Sequence, residues 1–280
     1  MSRQRLFPVF AWSVIVAGAA VALWSLARLP LAALDLRFAG LAAVTLFVTS
    51  RVSVVIPRTK SSISVSDTLI FLTLVLYGGE AAILLNAAES ALSSYRYSKT
   101  RLTVAFNAAA LSLATLVTVV ALRLSHGGEL AEGWGRGGHY ASAFVLMALV
   151  QYVANSGVVA LAFALKNGQP VWQTWRQHYL WTSITYLAGA SAAGLTALLL
   201  VAVGEWALIV TTPFVLITYF TYRTYLKHVE TSNAQAEQAR RHVEELSHYI
   251  SEQERIREQY AQIEKLSALG ELASGVAHDF

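Results

Sequence analysis

The chain has 280 residues, of which 55% are hydrophobic and only 14% are charged, and its mean hydropathy is +0.49. A soluble domain usually carries about 25% charged residues, so the composition excludes an ordinary globular enzyme and indicates a membrane protein. The net charge of +4 does not indicate a nucleic-acid partner, because the basic residues lie mostly between apolar runs, where they orient a chain in a bilayer. The absence of cysteine excludes disulfides, thiolate catalysis and cysteine metal sites.

Apolar runs predict an all-α bundle of about eight transmembrane helices over residues 1–222. A helix needs about 20 apolar residues to cross a bilayer. The predicted spans are 9–27, 38–55, 66–77, 80–95, 102–124, 139–165, 179–203 and 205–222. The first run follows Arg3 and Arg5, as a signal peptide would, but it is long for one and further spans follow. We therefore interpret it as a retained span.

The third and fourth predicted helices are short and meet at Gly78 and Gly79, so residues 66–95 could form two crossings, a re-entrant hairpin or one kinked span. Eight crossings place both termini and most lysines and arginines in the cytoplasm. A single crossing over 66–95 distributes these cations almost evenly between the two sides. The positive-inside rule therefore favours eight crossings, although a hairpin that enters and leaves from the cytoplasm keeps the same orientation.

Polar residues within the predicted spans are candidates for a ligand pocket between helices. They are Asn86, Glu89, Asn107, Gln151 and Asn155. Polar groups are costly in hydrocarbon and normally face the bundle interior or a cavity. Hydrogen bonds between helices explain the same pattern, and the sequence does not identify a ligand.

Other polar residues near the spans have simpler interpretations. Asp67 follows serines and suits a helix cap, while Glu80 and Glu205 lie beside glycines at predicted turns near water. The loop 125–139 is rich in glycine and therefore too flexible for a preset metal cage, so we expect a solvated loop without a metal. Its metal-capable residues are His126, Glu129, Glu132 and His139.

Aromatic residues cluster at two predicted membrane boundaries. Tyr and Trp favour the headgroup level because they are half apolar and half polar, so these clusters predict contact with membrane lipid. The residues are Trp172, Trp175, Tyr179 and Trp181 at one boundary, and Tyr219, Tyr222 and Tyr225 at the exit of the last span.

Residues 223–262 form a charged helix with a weak coiled-coil pattern. Two series repeat every seven residues, which is typical of the a and d positions of a parallel coiled coil. The series are Val229, Ala236, Val243 and Ile250, and Ser232, Ala239, Leu246 and Gln253. The spacing from Ile250 to Ile256 is six residues, so the phase shifts there. A weak coil with a phase break suits a switchable linker, and an irregular solvated helix is the alternative.

The final residues, 263–280, read IEKLSALGELASGVAHDF. At 100° per residue, His278 points well away from the apolar seam through Leu266, Ala273 and Phe280, so we expect it to be exposed. Attack on a phosphoryl group needs one ring nitrogen that is unprotonated and points outward. The adjacent Asp279 carboxylate can hold the other N–H and accept the proton.

The run KLSALGELASGVAHDF, residues 265–280, closely resembles the start of the dimerisation and phosphoacceptor domain of bacterial sensor histidine kinases, in the subset whose H-box reads A-H-D-F. The resemblance implies that His278 accepts phosphate from ATP and that Asp279 assists proton transfer. It also implies a homodimer, phosphotransfer to an aspartate on a response-regulator receiver domain, and location in the bacterial inner membrane. The family's second helix and ATP lobe do not lie within these residues. We therefore expect a fragment that is inactive alone, with ATP and Mg²⁺ bound by a missing catalytic domain.

The sequence thus predicts a transmembrane sensor domain (1–222), a coiled-coil linker helix (223–262) and the start of a phosphoacceptor domain (263–280). The leading hypothesis is a membrane sensor histidine kinase of a two-component system. The alternatives are a transporter or channel with a cytoplasmic coiled-coil oligomerisation tail, and a receptor that drives another output enzyme. The transporter or channel gives no reason for an A-H-D-F ending on a phased helix, and the downstream gene sequence would decide whether the receptor applies.

Overall fold

The computed structural model describes residues 3–49, 53–55, 62–64, 66–98, 100–126, 140–204, 220, 224, 227, 231–232, 234–257 and 259–260. The chain divides into two compact units, Met1–Tyr219 and Phe220–Phe280, and each is considered by itself. The described part of the first unit is helical apart from one short hairpin, so the predicted all-α class is confirmed at this level.

The described helices of the first unit are α1 (Arg3–Ala27), α2 (Leu36–Ala43, continued by a π-helical turn, Val44–Val48), α3 (Asp67–Tyr77), α4 (Gly79–Tyr97), α5 (Arg101–His126), α6 (Tyr140–Asn167), α7 (Val171–His178) and α8 (Ser183–Val203). Short 3₁₀ turns, Leu31–Ala33 and Leu180–Thr182, precede α2 and α8.

Four of the described helices are long and apolar enough to cross a membrane: Arg5–Ala27, Arg101–His126, Tyr140–Asn167 and Ser183–Val203. They coincide with the predicted spans 9–27, 102–124, 139–165 and 179–203. The segments Leu36–Val48 and Asp67–Tyr77 are apolar but shorter, and α4 carries polar residues along its length. The predicted span 205–222 lies almost entirely outside the described residues.

The predicted span 38–55 is wrong in its second half. The helical segment ends at Val48, and Ser53–Val55 (β1) pairs antiparallel with Ser62–Ser64 (β2). The sequence around β1 is VSVVI followed by Pro57. Branching at Cβ favours extended chain, and a proline ring restricts the residue before it to extended conformations.

The chain reverses direction at Gly78, within the hinge predicted at Gly78 and Gly79. Its φ of 91° is in a region that glycine adopts without strain. Asp67, at the start of α3, lies within electrostatic reach of Glu89, well beyond the turn in α4. Residues 66–95 therefore form two antiparallel helices rather than one kinked helix. The carboxylate of Glu80 pairs with Arg123 at 3.1 Å, which places the turn at the end of the bundle where α5 ends.

Two apolar clusters hold the described helices together. The larger one joins α3, α4, α5, α6 and α8 and includes Phe71, Leu122 and Met147, all of which are buried. The smaller one joins α1 to α5 and α6. Helices associate in a bilayer through packing of this kind and through hydrogen bonds between helices. The hydrophobic effect contributes little there, because lipid tails are as apolar as the side chains.

The described residues of the second unit are helical and exposed throughout. Intrahelical ion pairs join Arg240 to Glu244 at 3.5 Å and Arg241 to Glu237 at 3.7 Å, each one turn apart. Such pairs stabilise an isolated helix modestly. The continuous helix over 234–257 agrees with the predicted linker helix, while its pairing into a coiled coil stays a prediction.

Candidate functional site

Thr115 on α5 is the centre of a buried polar network. Its Oγ1 accepts hydrogen bonds from Asn86 Nδ2 on α4 at 2.8 Å and from Gln151 Nε2 on α6 at 3.2 Å. Thr118 Oγ1 donates to Gln151 Oε1 at 2.7 Å. All four side chains are buried. Buried polar groups are costly unless hydrogen-bonded, so these bonds fix the relative positions of three helices.

One turn further along α6, a second set of polar and aromatic residues joins α6 to α7 and α8. Asn155 Nδ2 donates to the hydroxyl oxygen of Tyr186 on α8 at 2.7 Å. Trp175 Nε1, on α7, donates to Ser156 Oγ on α6 at 2.9 Å. The ring of Tyr152 lies between these two aromatic residues, with its centroid 5.9 Å from that of Tyr186 and 5.8 Å from that of Trp175.

Two acidic residues lie within electrostatic reach of Tyr186. Glu89 is buried on α4, one turn after Asn86, and Asp67 begins α3. Both carboxyl groups interact electrostatically with Tyr186 and with each other. The interpretation of Asp67 as a helix cap is wrong. The N-cap position is Ser66, and Asp67 is the first helical residue, close to Gly189 of α8.

The five predicted pocket residues are therefore not all in one place. The structure brings Asn86, Glu89, Gln151 and Asn155 into one region between α3, α4, α5, α6 and α8. Asn107 lies apart, where its Nδ2 donates to Ser94 Oγ at 2.9 Å between α4 and α5.

The amide and hydroxyl groups of this region already bond to one another, which fits the interhelical role that the sequence left open beside the pocket. The carboxyl groups of Asp67 and Glu89 add two ionisable groups to the same region. The region thus combines rigid cross-links with an ionisable centre. Buried ionisable groups of this kind are costly in a membrane bundle and usually mark a functional site.

Among the described residues, no group of three or more His, Cys, Asp or Glu side chains could hold a metal ion. In the loop named above, the Nε2 atom of His126 lies 3.2 Å from Ser142 Oγ. The other three metal-capable residues of that loop, at positions 129, 132 and 139, lie outside the described residues.

Sequence reasoning missed the hydroxyl partners of the network. Thr115 and Thr118 were not identified, although Ser112, Thr115 and Thr118 recur every third residue along the apolar helix α5. That spacing places them on one helical face, and a hydroxyl stripe of this kind was the available signal. Tyr186 gave no comparable signal, because aromatic residues are common throughout the spans.

The predicted phosphoacceptor His278 and its neighbour Asp279 lie outside the described residues. The helix that leads towards them is described over 234–257, and its apolar seam residues are exposed. Val243, Leu246 and Ile250 retain 65%, 59% and 59% of their accessible surface.

Comparison with protein-family models, with curated proteins and with solved structures found no match. The assignment of a function therefore depends on the residues of this chain alone.

Proposed function

We propose that the chain is the sensor and signalling portion of a bacterial membrane histidine kinase of a two-component system. The observation that carries the proposal is the run KLSALGELASGVAHDF at residues 265–280, with its H-box pattern at the end of a phased helix. The described helix over 234–257 supports it, because a charged helix is what the proposal expects in the segment before the motif.

In the proposed reaction His278 is the nucleophile and Asp279 its proton acceptor. An unprotonated imidazole nitrogen attacks the γ-phosphorus of ATP, a phosphorus–nitrogen bond forms, and the bond to the ADP oxygen breaks. Asp279 takes the proton from the imidazolium. The phosphoryl group then passes to an aspartate carboxylate on a response-regulator receiver domain. A catalytic domain of the full-length protein supplies ATP and Mg²⁺.

The linker helix pairs with its copy in a homodimer. Its charged residues, such as Arg240 and Glu244, pair with each other along the same helix and leave the seam open. The exposed side chains of Val243, Leu246 and Ile250 lie on that seam. Burying a stripe of apolar side chains against a second helix is what stabilises a coiled coil, so the second copy covers them.

The membrane unit crosses the inner membrane eight times, with both termini in the cytoplasm. The geometry at Gly78 supports two crossings by residues 66–95 over a re-entrant hairpin, because Glu80 meets Arg123 at the end of α5. Helix α4 has 19 residues, and at 1.5 Å per residue it is about 28 Å long, close to the thickness of the hydrocarbon core.

Single-cysteine labelling tests this topology, since the chain has no native cysteine. With eight crossings, Glu80→Cys reacts with a membrane-impermeant maleimide added outside, as does the control Arg123→Cys. Ser98→Cys, in the turn after α4, reacts only after permeabilisation. Protection of Glu80→Cys together with labelling of Arg123→Cys would instead indicate a hairpin that enters from the cytoplasm.

Signalling follows from helix continuity. A stimulus changes the packing of the membrane bundle, the last span shifts or rotates, and the linker transmits that change to His278. The phase break between Ile250 and Ile256 keeps two packings of the linker close in energy, as a switch requires.

A second candidate function is transport of a small solute, which the buried polar region around Thr115 and Glu89 favours. Two experiments separate the candidates. Labelling of the full-length protein by ATP that is lost in His278→Ala supports the kinase. Uptake of a labelled solute that survives deletion of residues 228–280 supports the transporter.

A further inference from the structure

One end of the membrane unit carries a basic corner built from α1, α6 and α7. Lys166, near the end of α6, places its Nζ 5.8 Å from the ring centroid of Phe7 in α1. Arg5 lies half a turn before Phe7, and both cations are exposed. The contact with Phe7 places Lys166 beside the start of α1, at the end of the bundle where Arg5 also lies.

Helix α7 folds back against the same end of α6. The ring of His178 meets Phe163 of α6 edge-on, with centroids 5.5 Å apart. Arg176, two residues earlier in α7, is exposed. Exposed cations of α1, α6 and α7 thus lie at the same end of the bundle, and we call this group, Arg5, Lys166 and Arg176, the basic corner.

The segments that form the basic corner contain no carboxylate. The sequence has no Asp or Glu in residues 1–34 or 133–204. The acidic residues of the first 204 positions are Asp35, Asp67, Glu80, Glu89, Glu129 and Glu132. Of these, Glu80 pairs at the opposite end of the bundle and Glu89 is buried within it. The segments that carry the corner therefore supply no carboxylate of their own to balance its positive charge.

The outward face of α7 suits the headgroup level of a bilayer. Thr174 is buried, and Trp175 points inward to Ser156. Trp172 is 69% exposed, stacks on Trp175 with ring centroids 5.4 Å apart, and lies four residues before the exposed Arg176. An indole suits the boundary between acyl chains and headgroups, and a guanidinium binds phosphate oxygens through paired N–H donors.

We infer that the basic corner binds the headgroup of an anionic phospholipid. Charge complementarity carries the inference, because three exposed cations without a carboxylate in their own segments lie at one end of helices long enough to cross a bilayer. The phosphodiester of a zwitterionic lipid carries its own counter-charge and gains less from the corner. The inference needs only the membrane bundle, so it is independent of the proposed kinase function.

The test is a binding titration of the full chain in neutral detergent with phosphatidylglycerol, and with phosphatidylcholine of the same acyl chains. We expect tighter binding of phosphatidylglycerol by the wild type. In Lys166→Gln/Arg176→Gln we expect its affinity to fall roughly 25-fold, from the usual contribution of each cation near an anionic surface. Binding of phosphatidylcholine should stay unchanged.

Arg28→Gln is the matched control, since Arg28 is also exposed and lies over an aromatic ring, Trp24, but at the opposite end of α1. It should bind phosphatidylglycerol as the wild type does. If the double variant folds poorly, the charge-conserving Lys166→Arg/Arg176→Lys variant should retain the preference for phosphatidylglycerol.

Three results would overturn the inference. They are equal affinity for the two lipids in the wild type, loss of the preference in the charge-conserving variant, and undiminished phosphatidylglycerol binding in a folded double variant. Glycerol phosphate, which has the headgroup without acyl chains, separates a lipid site from a free-anion site. Its binding as tightly as phosphatidylglycerol would also contradict the inference.

Discussion

The hydroxyl group of Thr115 does three things at once. Its oxygen accepts hydrogen bonds from Asn86 and Gln151, and its proton goes to the carbonyl of Leu111 in its own helix. One side chain therefore cross-links α4, α5 and α6. Hydrogen bonds between membrane helices are worth about 0.6 kcal/mol on average, and a shared acceptor concentrates two of them at a single atom.

Replacing Thr115 with valine should destabilise the bundle by about 1–2 kcal/mol, because the side-chain volume is kept while two buried amides lose their acceptor. Thr196→Val is the matched control. Thr196 is also buried, but its hydroxyl bonds to Ala192 in the same helix. Unfolding of the full chain in detergent measures both. An equal loss in the two variants would show that the interhelical bonds contribute nothing particular.

At the scale of elements, α1 approaches α5 closely enough to need a glycine. An added Cβ at Gly18 would lie 2.5 Å from the backbone of Ala109, which no real contact allows. The two helices would have to separate, and the smaller apolar cluster between them would loosen.

Gly18→Ala should therefore cost about 1–3 kcal/mol, the usual range for overpacking. Gly157→Ala is the control. Gly157 also lies inside a helix, but an added Cβ there meets nothing within 4 Å, so the change should be neutral or slightly stabilising through helix propensity. Thermal unfolding midpoints in detergent decide the matter, and a Gly18→Ala variant as stable as wild type would contradict the close approach.

A second prediction at this scale concerns the linker helix. Inserting one alanine after Ile250 rotates everything downstream by about 100° relative to the membrane unit. We expect the ratio of stimulated to basal phosphorylation to fall about tenfold, the effect of a shift of about 1.4 kcal/mol between two packings. Inserting a whole heptad keeps the seam in phase and should preserve the response. Unchanged signalling in the one-residue variant would argue against transmission through helix rotation.

The elements that the sequence predicted well are those fixed by hydropathy alone. Helices α5 and α6 begin and end within two residues of the predicted spans, because their apolar runs stop at polar or glycine-rich segments. The prediction that the second span continues past Val48 is wrong. It was based on the length of the apolar run, which does not show that the β-branched residues before Pro57 favour a strand. The sequence predicts the amide residues of the site but not their hydroxyl partner. Asn86 and Gln151 are conspicuous because amides are rare in apolar runs, whereas Thr115 is of a type that is common in such runs.

At the scale of the whole molecule, the two units have opposite surface chemistry. The membrane unit has helices apolar enough to cross a bilayer and a buried polar region, whereas the described helix of the second unit is charged and exposed. In the proposed function, the two units have different roles. The first unit responds to a stimulus in or across the membrane, and the second presents His278 to a catalytic domain in the cytoplasm.

The most direct measurement is phosphohistidine formation in the full-length protein in membranes, after addition of labelled ATP. His278→Ala is compared with wild type and with His248→Ala, which changes an exposed histidine on the described helix of the second unit. We expect acid-labile, base-stable label in the wild type and in His248→Ala, and none in His278→Ala. Label that persists in His278→Ala, or no label in folded wild type tested with candidate stimuli, would contradict the assignment.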